Sequence, residues 1–72
     1  MLPLAGHLDA TVTGTAPVVI HGDRYVDLAI EAGRERAAVR VPLHVLSRMP
    51  EVGDRVRLKV LLGQVDAVDF LT

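Results

Sequence analysis

Apolar and polar residues alternate along most of this chain, and the alternation changes phase at glycines and prolines. From His7 to Thr13, Leu8, Ala10 and Val12 fall on one side, and His7, Asp9, Thr11 and Thr13 on the other. A period of two marks a strand with one buried face. Gly14 to Pro17 interrupts the pattern, and the apolar run Val18–Val19–Ile20 either extends this strand past a bulge or forms a separate ribbon. His21–Gly22–Asp23 reads as a turn. Residues 24–31 alternate again, with Val26, Leu28 and Ile30 inward and Tyr25, Asp27, Ala29 and Glu31 outward. Ala32–Gly33–Arg34 suits a hairpin connection, where glycine supplies a positive φ. Residues 35–41 return as a third strand, with Ala37, Val39 and Val41 inward and Arg36, Ala38 and Arg40 outward.

Pro42 has no N–H for a ladder bond and ends that strand. Its fixed φ suits the first position of a short helix, so Leu43, Val45 and Leu46 are expected to cap one open end of the sheet. Pro50 and Gly53 close that segment. Residues 54–62 carry the cleanest alternation: Val56, Leu58, Val60 and Leu62 one way, Arg55, Arg57 and Lys59 the other. Gly63–Gln64 is the expected turn, and Val65 to Leu71 the last strand. Its pattern is mixed, with Asp66, Val68 and Phe70 on one face and Val65, Ala67, Asp69 and Leu71 on the other. That mixture predicts a strand covered on both sides, or one side meeting a partner. An all-β chain of five strands, with one short helix between the third and fourth, has the element order of the OB-fold, a small Greek-key barrel. The stretch from Pro42 to Gly53 is long enough for that helix and favours this barrel over an SH3-like one. Residues 1–72 make a single domain.

Composition narrows the chemistry. Half the residues are hydrophobic, enough for a compact core. There is no cysteine, so disulfides, thiolate metal sites and cysteine nucleophiles are excluded. The opening MLPLAGHLD lacks a signal-peptide pattern. No stretch approaches the roughly 20 apolar residues of a membrane-spanning helix. These features lead to the expectation of a cytoplasmic chain with no membrane partner. Ser47 is the only serine and has no catalytic motif around it, and the glycines are dispersed as turn formers. His7 and Asp9 supply at most two metal ligands, short of a site. The expectation is therefore no enzyme, no cofactor and no metal.

The remaining candidate is a binding surface. Arg55, Arg57 and Lys59 form a basic stripe on the fourth strand, and Arg36 and Arg40 on the third extend it. Nucleic-acid-binding OB barrels track phosphates with such cations and stack bases on aromatics of strands two and three. Tyr25 is the aromatic placed to stack, whereas Phe70 reads as core. The competing reading pairs the same cations with Asp9, Asp66 and Asp69 on neighbouring strands. A net charge of −1 is unlike the basic balance usual for nucleic-acid binders. Two functions follow: a module that binds DNA or RNA backbone weakly within an oligomer or larger complex, or a structural module that self-associates or docks on a protein.

Gly33 to Phe70 also resembles the N-terminal OB domain of RuvA, the Holliday-junction branch-migration protein family. The matching residues are Glu31, Gly33, Val39, Val41–Pro42–Leu43, Leu46, Met49–Pro50, Gly53, Val56, Leu58 and Asp66–Ala67. The resemblance implies an OB barrel, a DNA-associated setting and a role in forming an oligomer. In that family a pair of acids before the last strand forms a pin at the junction centre. The corresponding positions here are Val65 and Asp66, one acid only. The helix-hairpin-helix repeats that follow the domain in that family are not within these 72 residues.

Overall fold

The computed structural model describes residues 3–71; Met1, Leu2 and Thr72 lie outside that range. Five strands follow in order: β1 (Ala5–Ile20), β2 (Asp23–Ala32), β3 (Glu35–Pro42), β4 (Arg55–Leu61) and β5 (Gln64–Phe70). They form one sheet in the order β3-β2-β1-β4-β5, with every neighbouring pair antiparallel. The two end strands, β3 and β5, come into contact, which rolls the sheet into a barrel-like shape. No helix among the described residues is long and apolar enough to cross a membrane.

The alternation sets the core. Val12, Val26, Leu28, Ile30, Val41, Val56, Leu58 and Val60 are essentially fully buried, each from the predicted inward set. Val39, Val65 and Val68 join them, and Leu43, Val45, Leu46 and Phe70 pack against the cluster while partly exposed. Burying each such aliphatic side chain contributes about 1.5–3 kcal/mol.

Residues 5–20 form one long strand, so the run Val18–Val19–Ile20 extends β1 past a bulge. The register slips between Val12 and Gly14. Before the slip β1 pairs with β4, from Ala5 opposite Leu61 to Thr11 opposite Arg55. Around it β1 passes to β2, with Thr11 opposite Glu31 and Ile20 opposite Asp23. Gly14 suits this close passage: a Cβ there would meet the Ala29 methyl at 3.4 Å. The Val12 backbone serves the following loop. Its N–H donates to the Asp54 carbonyl at 2.8 Å, and its carbonyl accepts from the Gly53 N–H at 2.8 Å.

Three expectations are corrected. The expected helix after β3 is a single 3-10 turn, Leu43–Val45, because Pro42 stays extended (φ −62, ψ 139) and Leu46 is extended again (φ −99, ψ 134). Strand four ends at Leu61, so Leu62 does not point inward. It shares a two-residue turn with Gly63, at φ 54 and 75. Positive φ at both positions is the type I′ hairpin, whose twist matches the flanking strands. The His21–Gly22 turn between β1 and β2 uses the same geometry, at φ 50 and 84.

The last correction concerns β5. Lys59 lies opposite Ala67 but Val60 lies opposite Val65, which leaves Asp66 as an extra residue on β5. This bulge resets the phase, so Val65, Val68 and Phe70 all turn toward the core. The mixed pattern thus reflects one inserted residue, and the strand is not apolar on both sides.

Arg48 secures the loop between β3 and β4. Its guanidinium lies 3.9 Å from the centroid of the Phe70 ring. It also donates from Nη1 to Asp54 Oδ2 at 2.8 Å, and that oxygen accepts the Glu51 N–H at 2.8 Å.

Leu58→Ala removes a fully buried side chain from β4, which links β1 to β5, and is expected to cost about 2–5 kcal/mol in urea unfolding. Leu62→Asn acts in the opposite direction. A left-handed backbone costs an ordinary residue about 1–2 kcal/mol and suits asparagine better, so this variant should unfold at higher urea than the parent; an unchanged or lower midpoint contradicts the strain.

Candidate binding surfaces

The outward positions bring most of the predicted cations face to face with acids. Asp9 and Arg57 are directly opposite on β1 and β4. Arg57 donates from Nε to Asp9 Oδ1 at 2.7 Å and from Nη2 to Oδ2 at 3.0 Å, a two-point contact. Arg57 also lies opposite Asp69 on β5. Arg40 makes the same two-point contact with Asp27 across β3 and β2, at 2.8 and 3.0 Å. Arg36 approaches Glu31 at 3.6 Å, and Lys59 approaches Asp66 at 3.8 Å. Arg55 forms no ion pair among the described residues. The five cations of the expected stripe therefore sit on two strands, β3 and β4, with β2 and β1 between them, and four of the five are matched by carboxylates.

These contacts move the titrations of the groups involved. The hydrogen bonds from Arg57 and Arg40 hold the Asp9 and Asp27 carboxyls below the usual aspartate range and hold the two guanidiniums more firmly charged. Arg48, and then the Glu51 N–H, lower Asp54 in the same way. Asp54 is partly covered, and the other groups face solvent, where single ion pairs are screened and contribute little to stability. Their main effect is on the field: a phosphate approaching Arg57 or Arg40 meets a carboxylate already in place. Asp9 is likewise engaged by Arg57, and no group of three or more metal-ligating residues occurs among the described residues.

Tyr25 is half-buried and lies opposite Pro42 on β3 and Val18 on β1. It and Arg40 line one cleft of about 470 Å³, together with Pro42, Gln64 and Val65, where the ends of the sheet come together. Of the six predicted contact residues, these two share the cleft, while Arg36, Arg55, Arg57 and Lys59 lie outside it.

One surface was not anticipated. Leu4, Leu61 and Leu62 are 73%, 52% and 75% exposed. The ladder brings them to one end of the sheet. Ala5 pairs with Leu61, and the Gly63 N–H donates to the Leu4 carbonyl at 2.9 Å. Leu61, Leu62, Gln64, Val65 and Asp66 line a shallow groove of about 240 Å³ there. The signal was present in the sequence as Leu61–Leu62–Gly63. Placing the turn at Leu62–Gly63, where glycine takes the second turn position, puts two leucines at a hairpin tip.

No protein-family model, curated protein or solved structure matches the chain.

The lowered aspartates set the acid limb of stability. A carboxyl with a depressed folded pKa contributes fully above its unfolded value, about 3.9, and loses that contribution as the pH falls through the lower folded value. The urea midpoint should therefore be nearly flat from about pH 5 to 8 and fall below about pH 4. Replacing Asp9, Asp27 and Asp54 with Asn should make the acid limb shallower. A decline that begins near pH 6, or an acid limb unchanged in the triple variant, would contradict these assignments.

Proposed function

We propose that the sheet is an OB-type Greek-key barrel and that the chain is a non-catalytic protein-interaction module whose contact surface is the leucine-rich end of β4 and β5. The barrel reading is supported by the strand order β3-β2-β1-β4-β5 with β3 and β5 in contact, by the long bulged β1 shared between β2 and β4, and by the turn between β3 and β4. The resemblance to the RuvA N-terminal domain supports the same architecture. Its matched positions are chiefly packing and turn residues: Val39, Val41, Val56 and Leu58 are buried, and Gly33 and Gly53 sit at φ 62 and 97.

The observation that carries the function is the exposed leucine tip. Scattered exposed leucines are ordinary, but a contiguous apolar patch on a small protein marks a contact site. Leu62 adds to this because it occupies a backbone conformation that a branched aliphatic residue rarely adopts. Nothing in its own barrel is gained from a leucine there, since the side chain is largely exposed.

A second reading, weak binding of nucleic acid, draws on a different observation: Tyr25 and Arg40 share the cleft beside strands two and three, the side on which OB barrels take oligonucleotides. The carboxylates matched to Arg36, Arg40, Arg57 and Lys59 count against a broad phosphate track and make the first reading the stronger one.

A photo-crosslinking amino acid placed at position 61 should give a covalent protein adduct in cells that produce the chain natively, and the same probe at Arg34 on the opposite hairpin should not. Absence of any adduct at position 61 rejects the interaction module. For the nucleic-acid reading, titration of a labelled single-stranded oligonucleotide at about 50 mM salt is decisive. Binding should weaken about 5- to 160-fold in Tyr25→Ala, the value of one stacked base, and vary with salt only gently, with a slope of log K against log salt of about −0.7 per phosphate engaged. No binding at that salt removes this reading.

A further inference from the structure

We infer that the partner seated on the β4–β5 tip is a second copy of this chain, related to the first by a two-fold axis. The inference rests on the interaction reading above and names the partner. Leu62 is 75% exposed at the rim of a groove of about 240 Å³ that it lines together with Leu61, Gln64, Val65 and Asp66. That volume is below the roughly 300–1,000 Å³ of small-molecule pockets, and it suits an aliphatic side chain. An exposed leucine and an adjoining recess on one patch meet the requirement of a two-fold interface, in which the same surface serves both sides.

Charge around the patch is also self-complementary. Lys59 and Asp66 stand next to the leucines, with side chains 54% and 55% exposed and a loose separation of 3.8 Å. A two-fold axis through the patch allows Lys59 of one copy to face Asp66 of the other. A net charge of −1 gives the copies almost no mutual repulsion. Two other routes to self-association, the edges of β5 and β3, are blunted. The edge of β5 is interrupted by the bulge at Asp66, and β3 ends at Pro42 and carries Arg36 and Arg40 outward. Bulges, charges and proline are the usual protection of sheet edges. At the leucine tip the bulge and the charges Lys59 and Asp66 lie on the rim, and Leu61 and Leu62 stay exposed between them.

The size of the patch predicts a weak dimer. A standard interface covers about 800 Å² per partner, roughly a sixth of the 4826 Å² surface of this chain. Three exposed leucines and the charges beside them are few against the roughly 20–30 residues a side of such an interface. Association is therefore expected in the range of about 10 µM to 1 mM, between the benchmarks for modest and minimal affinity.

Sedimentation velocity on the full chain from about 10 µM to 2 mM tests the inference across that range. The weight-average mass should rise toward that of two chains. Leu62→Asn should shift the midpoint to at least about tenfold higher concentration, one step of 1.4 kcal/mol, while its urea midpoint does not fall. Lys59→Asp should also weaken association, and the double change Lys59→Asp with Asp66→Lys should restore it. A monomer throughout overturns the inference, as does a dimer unaffected by Leu62→Asn. A monomer that nonetheless crosslinks through position 61 to a different protein overturns the second copy alone and leaves the interaction module standing. A monomer with no crosslink overturns both.

Discussion

The passage of β1 from β4 to β2, through the slip between Val12 and Gly14, is the constraint on which the rest of the molecule depends. A strand has two edges, and most strands keep one partner on each along their length. Here the first half of β1 is paired chiefly with β4 and the second with β2, and the bend between them turns a sheet into a barrel-like shell. The slip also frees the Val12 N–H and carbonyl, which bind Asp54 and Gly53 and so anchor the loop that delivers β4. Arg48, stacked on Phe70 and bonded to Asp54, holds the same loop from its outer side. Remove the slip and β4 loses both its partner and its starting point.

Strand positions were readable because one face of each strand is buried, and burial writes a period of two into the sequence. Val26–Leu28–Ile30 and Val56–Leu58–Val60 illustrate this, each residue essentially sealed from solvent. What the pattern could not express was a change of count. In β5 one inserted residue, Asp66, moves the inward set by one, so a plain alternation assigned Val65 and Phe70 to opposite faces. At the β4–β5 hairpin the same blindness counted Leu62 with the core, although it stands in the turn. Bulges and turns are decided by pairing between strands, which no single stretch of sequence contains.

The charged face has a related lesson. Arg55, Arg57 and Lys59 look like a stripe when read along one strand. Read across the sheet, Arg57 lies between Asp9 and Asp69, and Lys59 leans toward Asp66. Antiparallel pairing sets charges from distant parts of the chain side by side, so the surface field belongs to the rows across strands. The rows here alternate in sign. Such a surface exerts little attraction at a distance.

The Asp9–Arg57 contact joins residues 48 positions apart in the chain, and β1 meets β4 along that same long separation. Loop closure of this length must be paid before its contacts form, and chains dominated by such distant pairings fold slowly. The β1–β2 and β2–β3 hairpins, closed by two-residue turns, need no such wait. During synthesis the first three strands can therefore assemble as a meander while residues 5–11 of β1 still present an unpaired edge. That edge is satisfied only when β4 has left the ribosome. The order of events makes β4 the latch of the barrel, and the interval before it arrives is the period in which a newly made chain has most to gain from the nearest unpaired strand.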